Sequence, residues 1–292
     1  MINAERLMAW DPGTLDASYG ENDTIAYALS IGIGMRPTDP LDLQFVHEKS
    51  LRAFPTLPTV LGWPGRLTDP AYGIDHRRVV ASDLEVVLHQ PLAAQARLSC
   101  RPRMAHLIDK GSDGPAILCM ERTLIDERGV AVATVRNSIL ARQQGGFGGS
   151  PIDPRPAVRD LPQRPPDTQC DLATPPHLAL LFRLHGDTNP IHADPDLAAK
   201  AGFPAPLLHG ACTFGLAGFA LTRQVLVGDV GRWGSMRARF AKPFFPGETL
   251  RTEMWLEGSQ VLFRCLSLAR GDIVLDQGLL NLKETVQSEN RT

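Results

Sequence analysis

Residues Leu181–Gly218 read LFRLHGDTNPIHADPDLAAKAGFPAPLLHGACTFGLAG, a loop of polar and ionisable groups between two apolar segments of helical character. Pro190 favours a turn within this loop, because the residue before a proline is driven out of the helical region. The turn can bring Asp187 and His192 toward one point. A carboxylate and an imidazole that meet in this way have the outline of a general acid–base pair.

The loop lies between predicted helices and strands. Gly210–Val227 is a long apolar segment rich in small residues, and it predicts a helix against which a sheet packs closely. Short helices are predicted at Pro175–His185 and Pro195–Ala201. Runs with the composition and alternation of strands follow at Arg232–Phe240, Thr249–Glu257, Val261–Ala269 and Ile273–Leu282.

The first half of the chain has a similar plan. Its first 20 residues read as irregular, a helix is predicted at Glu21–Ile33, and Arg36–Asp42 reads as a turn. Strands are predicted at Val79–Leu88, Ala93–Leu107, Ala116–Asp126 and Ala131–Ala141. Helices followed by antiparallel strands, twice over, indicate an α+β protein of two tandem units.

Three regions follow from this pattern. Residues 145–174 are rich in Gly and Pro and predict a linker between a first unit at 1–144 and a second at 175–292. The sequence Gly-Asp-x-Asn-Pro-x-His occurs in the second half and is absent from the first. We therefore expect one active site per chain, in the second unit.

Composition narrows the class of protein. Of the 292 residues, 43% are hydrophobic and 21% charged, and the formal net charge is −2, which does not favour nucleic acid or an anionic membrane as partner. The five cysteines form no CxxC pair and predict buried, reduced thiols. No signal peptide or membrane span is recognised, and the C-terminal QSENRT matches no targeting tripeptide, so a cytoplasmic protein is expected.

Several further stretches extend the motif beyond its loop. They are NDTIAYAL at 22–29, Asp109-Lys110-Gly111, GGFGG at 145–149, LHG at 208–210, RFAKP at 239–243 and TEMW at 252–255. With the loop, they resemble the signature of the MaoC-like, (R)-specific enoyl-CoA hydratases, and most closely the hydratase unit of peroxisomal multifunctional enzymes of type 2. The resemblance spans nearly the whole chain and implies a double hot-dog fold, in which an antiparallel sheet wraps a long helix in each unit.

The resemblance also implies roles for particular residues. Asp187 and His192 would be the catalytic dyad, binding one water molecule for addition to trans-2-enoyl-CoA, with (3R)-3-hydroxyacyl-CoA as product. Asn189 would hold the loop, and the backbone N–H of Gly210 would stabilise charge on the thioester oxygen. The position of Gly210 suits this role, because it opens the predicted helix, where free N–H groups favour negative charge.

Substrate contacts of the family map onto Lys110, Phe240 and His209 as well as Asn189. Lys110 would pair with a phosphate of coenzyme A, and Phe240 would line the tunnel for the substrate. The chain departs from the family where relatives carry His-Gly, because it has Ala81-Ser82 at that place. This difference puts in doubt a contact between the first half and the ligand. It also puts in doubt the acyl-chain preference, since the first half would accommodate the acyl chain.

Other chemistry is weighed against this interpretation. His185, Asp187, His192, Asp194 and His209 lack the spacing of a metal site, and hydration next to a thioester needs neither a metal nor a separate cofactor. Two alternatives stay open at this point, namely an acyl-CoA thioesterase and a non-catalytic acyl-CoA-binding subunit. A homodimer is expected from the resemblance alone.

Overall fold

The computed structural model describes residues 1–157 and 159–283, and the C-terminal QSENRT lies outside the described residues. Its strands are β1 (Leu15–Asp16), β2 (Val79–Leu88), β3 (Leu98–Cys100), β4 (Arg103–Asp109), β5 (Ala116–Asp126), β6 (Ala131–Ala141), β7 (Thr168–Ala173), β8 (Trp233–Phe240), β9 (Thr249–Glu257), β10 (Gln260–Ser267) and β11 (Ile273–Leu282). The α-helices are α1 (Ala4–Met8), α2 (Glu21–Ser30), α3 (Pro40–Val46), α4 (Leu178–Phe182), α5 (Pro195–Lys200) and α6 (Gly210–Leu221).

All of these strands join one antiparallel sheet whose two halves have mirrored orders. The order is β1-β3-β5-β6-β2 in the first half and β8-β11-β10-β9-β7 in the second, with β4 paired to β5. The halves meet where β2 pairs with β8, from Asp83 opposite Arg239 to Val87 opposite Ser235. The α+β architecture of two tandem units, predicted from the sequence, is confirmed.

The core lies on one face of this sheet and is centred on α6. Ten residues of α6, from Cys212 to Leu221, are buried, and the helix contacts β2, β7, β8 and β9. The predicted alternation holds on the strands: Val86 and Met236 are buried in this core, whereas Glu85 and Arg237 face the other side. The small residues of α6 permit close approach, since a Cβ on Gly215 would lie 2.6 Å from Ile31.

The segment predicted as a linker is more ordered than a flexible connection. Its residues 168–173 form β7, which pairs with β9 at the sheet edge, so the predicted linker at residues 145–174 contains a strand, and the division into domains stays a prediction. The preceding residues cross the outer face of the sheet: Arg155 pairs with Asp83 at 2.6 Å, Arg237 donates to the carbonyls of Pro156 and Ala157, and Leu161 packs on Trp255. We refer to the described residues of this segment, 150–157 and 159–167, as the strap.

Other differences from the sequence prediction are local. The irregular N-terminal 20 residues contain α1 and β1, and the turn at Arg36–Asp42 continues into α3, whose first residue is Pro40. The single strand predicted at Ala93–Leu107 is divided into β3 and β4 around Pro102, which cannot donate a ladder hydrogen bond. All five cysteines are free and buried, as predicted. Among the described residues, no helix is long and apolar enough to cross a membrane.

Candidate active site

The loop between α4 and α5 is folded back on itself by short-range hydrogen bonds. Gly186 has φ of +104°, a conformation that glycine adopts without steric cost. Asp187 Oδ1 then accepts a hydrogen bond from the N–H of Asn189 at 3.1 Å. Asn189 in turn caps the 3-10 turn Pro190–His192. The turn expected from Asn189-Pro190 is therefore present, and it brings Asp187 and His192 to the same side of the loop.

A backbone carbonyl sets the orientation and tautomer of His192. The distance from His192 Nδ1 to the carbonyl oxygen of Leu207 is 2.9 Å. Because a carbonyl oxygen only accepts, Nδ1 carries the proton and the neutral ring keeps its lone pair on Nε2. Burial lowers the pKa of His192 below its usual 6.5, opposed by the Leu207 carbonyl and by the charge of Asp187. A neutral ring with a free Nε2 can accept a proton from water.

His209 contacts both His192 and Asp187. Its ring stacks on that of His192, and its Nε2 lies 3.2 Å from the backbone oxygen of Asp187, to which it donates. The residue is 1% exposed, and its Nδ1 has no hydrogen-bond partner among the described residues. Burial and the neighbouring His192 lower the pKa of His209 to about 4, so the ring is neutral near pH 7.

Three side chains now converge. A ligand atom from each of Asp187, His192 and His209 lies within 4.8 Å of the others. A carboxylate and two imidazoles this close together could also hold a metal ion. Stacked imidazoles carry their nitrogen lone pairs in nearly parallel planes, whereas ligands of one ion must point toward a common centre. This stacking disfavours a shared metal ion, and the absence of a metal stays a prediction.

The amino end of α6 lies directly after His209. The first hydrogen bond of this helix runs from Thr213 N to His209 O, so the N–H of Gly210 precedes the helical pattern. A Cβ on Gly210 would lie 3.0 Å from the ring of Phe240, which packs against this glycine at the end of β8. Gly210 and Phe240, both singled out from the sequence, are thus in contact beside the His209 ring.

The family is decided by comparison with known proteins. Residues 17–143 match the family MFE-2 hydratase 2 N-terminal domain, and residues 158–277 match the MaoC like domain. The chain is 36% identical to 3-hydroxyacyl-thioester dehydratase Y of Mycobacterium tuberculosis, with 93% of this chain and 98% of that protein aligned. The chain belongs to the MaoC-like hydratase family. It is accordingly an enzyme of the lyase class.

Two further members of the family are similar in sequence to this chain. The chain is 35% identical to peroxisomal enoyl-CoA hydratase 2 of Arabidopsis thaliana, covering 94% of each protein. It is 33% identical to mouse peroxisomal multifunctional enzyme type 2, where 92% of this chain spans only 37% of that longer protein.

Solved structures agree with the fold expected for the family. A MaoC-like dehydratase of Phytophthora capsici superposes with a TM-score of 0.85 at 31% identity, covering 97% of this chain and 99% of that one. A Mycobacterium tuberculosis protein described as having a double hotdog fold superposes with a TM-score of 0.55 over 94% of each chain. At 17% identity the latter likeness concerns the fold alone. The predicted double hot-dog fold is confirmed.

Lys110 belongs to a different part of the chain from the dyad loop. It follows β4 in an exposed turn of the first half, and its Nζ donates to the carbonyl of Pro151 at 2.7 Å. The adjacent Asp109 accepts hydrogen bonds from the backbone of Gly146, Gly148 and Gly149. None of these described contacts joins Lys110 to Asp187 or His192, so the predicted phosphate contact stays a prediction.

The position at which this chain departs from the family lies on β2. Ala81 and Ser82 occur at an irregularity in the pairing of β2 with β6. Ser82 Oγ donates to Asp83 at 2.9 Å, and Asp83 also holds Arg155 of the strap. The substitution therefore belongs to a polar cluster that fixes the strap to the first half.

Sequence reasoning missed two contributors to the site. The role of the Leu207 carbonyl cannot be recognised from the sequence, because every residue has the same backbone oxygen. Phe182 lies with its ring centroid 5.0 Å from that of His209. Its position directly before Arg183-Leu184-His185-Gly186-Asp187 is the available signal, and the sequence prediction includes it only in the helix Pro175–His185.

Proposed function

We propose that the chain catalyses the reversible hydration of trans-2-enoyl-CoA to (3R)-3-hydroxyacyl-CoA. The observation that carries this proposal is the arrangement of His192, whose Nδ1–H is bound by Leu207 O and which has a ring nitrogen within 4.8 Å of a carboxylate oxygen of Asp187. The names of the relatives from Mycobacterium tuberculosis and Arabidopsis thaliana support the substrate class. The bound water, the dyad and the oxyanion donor are parts of this proposal.

In the proposed reaction the water held by Asp187 and His192 supplies both new groups. Its oxygen bonds to C3, one of its protons passes to the dyad, and a proton from the dyad bonds to C2. The electron pair of the double bond moves toward the thioester oxygen during attack. The N–H of Gly210 stabilises the resulting negative charge before C2 is protonated. The two groups titrate as a pair, so the transferred proton belongs to the dyad as a unit.

The remaining predicted residues have supporting roles in this scheme. Asn189 keeps the loop turned through its cap on Pro190–His192. Phe240 forms a wall beside Gly210, and Lys110 binds a phosphate of coenzyme A after release from Pro151 O. His209 is buried against His192 and Asp187, which favours a positioning role over direct contact with substrate. The acyl chain extends into the first half, and no separate cofactor takes part.

The proposal is tested by loss of enoyl-thioester absorbance with a short-chain and a medium-chain enoyl-CoA. The product is assigned with a dehydrogenase specific for (3R)-3-hydroxyacyl-CoA. Asp187→Asn and His192→Ala should each lower kcat by at least about 100-fold, since a positioned acid–base group contributes about 10²–10⁴-fold. Asp194→Asn is the matched control, because this exposed residue caps α5 and asparagine caps equally well.

The outcomes separate the possible activities. A (3R) product that depends on both Asp187 and His192 supports hydration by the dyad. Release of free thiol would indicate a thioesterase, and binding without turnover would indicate a non-catalytic subunit. Turnover that survives both substitutions would overturn the dyad mechanism.

Assembly and location are separate parts of the proposal. The expected homodimer is tested by light scattering on the purified chain, where the mass of a single chain would contradict it. The expected cytoplasmic location is tested by fractionation of cells that express the chain. Two of the similar relatives are named as peroxisomal, so recovery with peroxisomes is the outcome that would replace it.

A further inference from the structure

One residue of the first half contacts both catalytic segments of the second half. Ser30, the last residue of α2, is 0% exposed. Its hydroxyl lies 3.0 Å from His185 Nε2, two residues before Asp187. Its backbone oxygen accepts a hydrogen bond from the thiol of Cys212 at 3.2 Å, two residues after Gly210. The dyad loop and the helix end that carries the oxyanion donor thus meet at the same serine.

The direction of the hydrogen bond between Ser30 and His185 follows from the neighbours. The Ser30 hydroxyl donates its single proton to the carbonyl of Tyr27 at 2.7 Å. It can therefore only accept from His185, whose proton is on Nε2. The ring of His185 is also held edge-on between Tyr27, at 5.6 Å between centroids, and Phe182, at 5.7 Å. Hydrogen bond and ring packing together leave His185 one orientation.

The contact has a direct route to the dyad. His185 and Asp187 are separated only by Gly186, whose φ of +104° gives the chain a conformation with little steric restriction. Because Gly186 alone does not hold Asp187 in place, the contacts that fix His185 one residue earlier restrict where Asp187 can lie. In the second contact of Ser30, the Cys212 thiol donates to a backbone carbonyl that has no partner within α2, because it lies at the end of the helix. The first half of the chain in this way sets the spacing between dyad and oxyanion donor.

We infer that Ser30 and His185 form a latch between the halves that positions Asp187 relative to Gly210 for catalysis. Both are positioning residues, because they act through the loop and do not touch the substrate. The inference rests on the proposed hydration. It gives the first half a role in addition to accommodating the acyl chain. The segment involved, residues 22–30, lies on α2 and is far from the dyad in sequence.

Four variants of the full chain test the latch. Ser30→Ala removes the acceptor and leaves the carbonyl for Cys212, His185→Phe removes the donor and keeps an aromatic ring, and the third combines both changes. Each should lower kcat by about tenfold with KM changed less than about twofold, because the ground-state contacts remain while the geometry of attack is lost. The double variant should match either single variant, since the same hydrogen bond is removed in all three. His185→Gln, which restores an N–H donor, should recover much of kcat.

A control and a second readout keep the test decisive. Ser267→Ala changes another fully buried serine, whose backbone N–H is bonded to Asp272 at the end of β10, and should leave kcat unchanged. Hydrogen–deuterium exchange over residues 183–192 should rise in Ser30→Ala and not in Ser267→Ala. If the wild-type chain has no hydratase activity, the proposed function is refuted. The latch is then tested by the exchange measurement alone. Unchanged kcat and unchanged exchange, or additive losses of kcat in the double variant, would overturn the latch itself.

Discussion

The imidazole rings of His192 and His209 are stacked, with centroids 3.7 Å apart and planes inclined by 25°. Two such rings in contact cannot both be charged without strong repulsion, and burial disfavours the charge on either. Burial lowers the pKa of both rings, and the neighbouring His192 further lowers that of His209. Burial of the stacked pair therefore favours a neutral His192 ring near pH 7.

The first prediction concerns the pH dependence of turnover. Neutral His192 is the active form in the proposed mechanism, and its pKa is lowered from 6.5 by burial. On the acid side, the midpoint of the decline in kcat/KM should therefore lie below pH 6.5. A profile of kcat/KM on the wild-type chain, with enzyme stability checked at each pH, measures this. An acid limb centred above pH 6.5 would show that the ring is not shielded as described.

The second prediction concerns stability. The unfolded chain takes up a proton on His209 near pH 6.5, whereas the folded chain resists it down to about pH 4. Between these values the unfolded state binds more protons, so the free energy of unfolding should fall as pH is lowered from 6.5 toward 4. Urea unfolding at several pH values measures the slope. In His209→Phe, which keeps an aromatic ring but cannot titrate, the slope should be smaller; an equal slope would contradict the assignment.

The third prediction isolates the N–H of Gly210. Alanine and proline at this position both add a Cβ toward Phe240, but only proline lacks the N–H. Proline is accepted at the first position of a helix, and His209, with φ of −61° and ψ of 139°, already has a conformation suited to the residue before proline. Gly210→Pro should therefore have a kcat about 100-fold below that of Gly210→Ala. Equal kcat values in the two variants would exclude this N–H as the oxyanion donor.

The fourth prediction concerns Lys110. If its ammonium binds a phosphate of coenzyme A, Lys110→Gln should raise KM for a CoA thioester severalfold at low salt, with kcat little changed. The amide of glutamine can still donate to Pro151 O, so the turn is preserved. A pantetheine thioester, which lacks the nucleotide phosphates, is the matched substrate. Its KM should not respond, and a similar rise for both substrates would refute the contact.

The strands were predictable where one face is buried. The predicted bounds of β2, β5, β6, β9 and β11 agree with the structure, because apolar and β-branched runs bounded by turn residues mark each strand. β7 was missed although it alternates, with Cys170 buried between exposed neighbours. Its six residues follow a proline-rich segment, and composition outweighed the short pattern. Edge pairing with β9 stabilises this strand through contacts that are remote in sequence.

For the candidate site, the proximity of Asp187 and His192 was predictable from the sequence, whereas their contacts with other residues were not. The spacing in Gly-Asp-Thr-Asn-Pro-Ile-His is sufficient to place Asp187 and His192 on one turned loop. The stacking of His209 on His192 depends on where α6 begins relative to that loop, which no local pattern specifies. The same holds for His185 and Ser30, which are 155 positions apart in the chain.

The mirrored strand order about the β2–β8 seam bears on how such a chain can evolve. Two identical subunits inherit every mutation together, whereas two units encoded in one gene diverge independently. The seam is made of backbone pairing between β2 and β8, which many different side chains satisfy. A duplicated unit can thus lose its own Asp-His motif and rebuild its interior while its twin preserves the chemistry. Under the proposed function, such a chain can change which acyl group it accepts without changing the reaction.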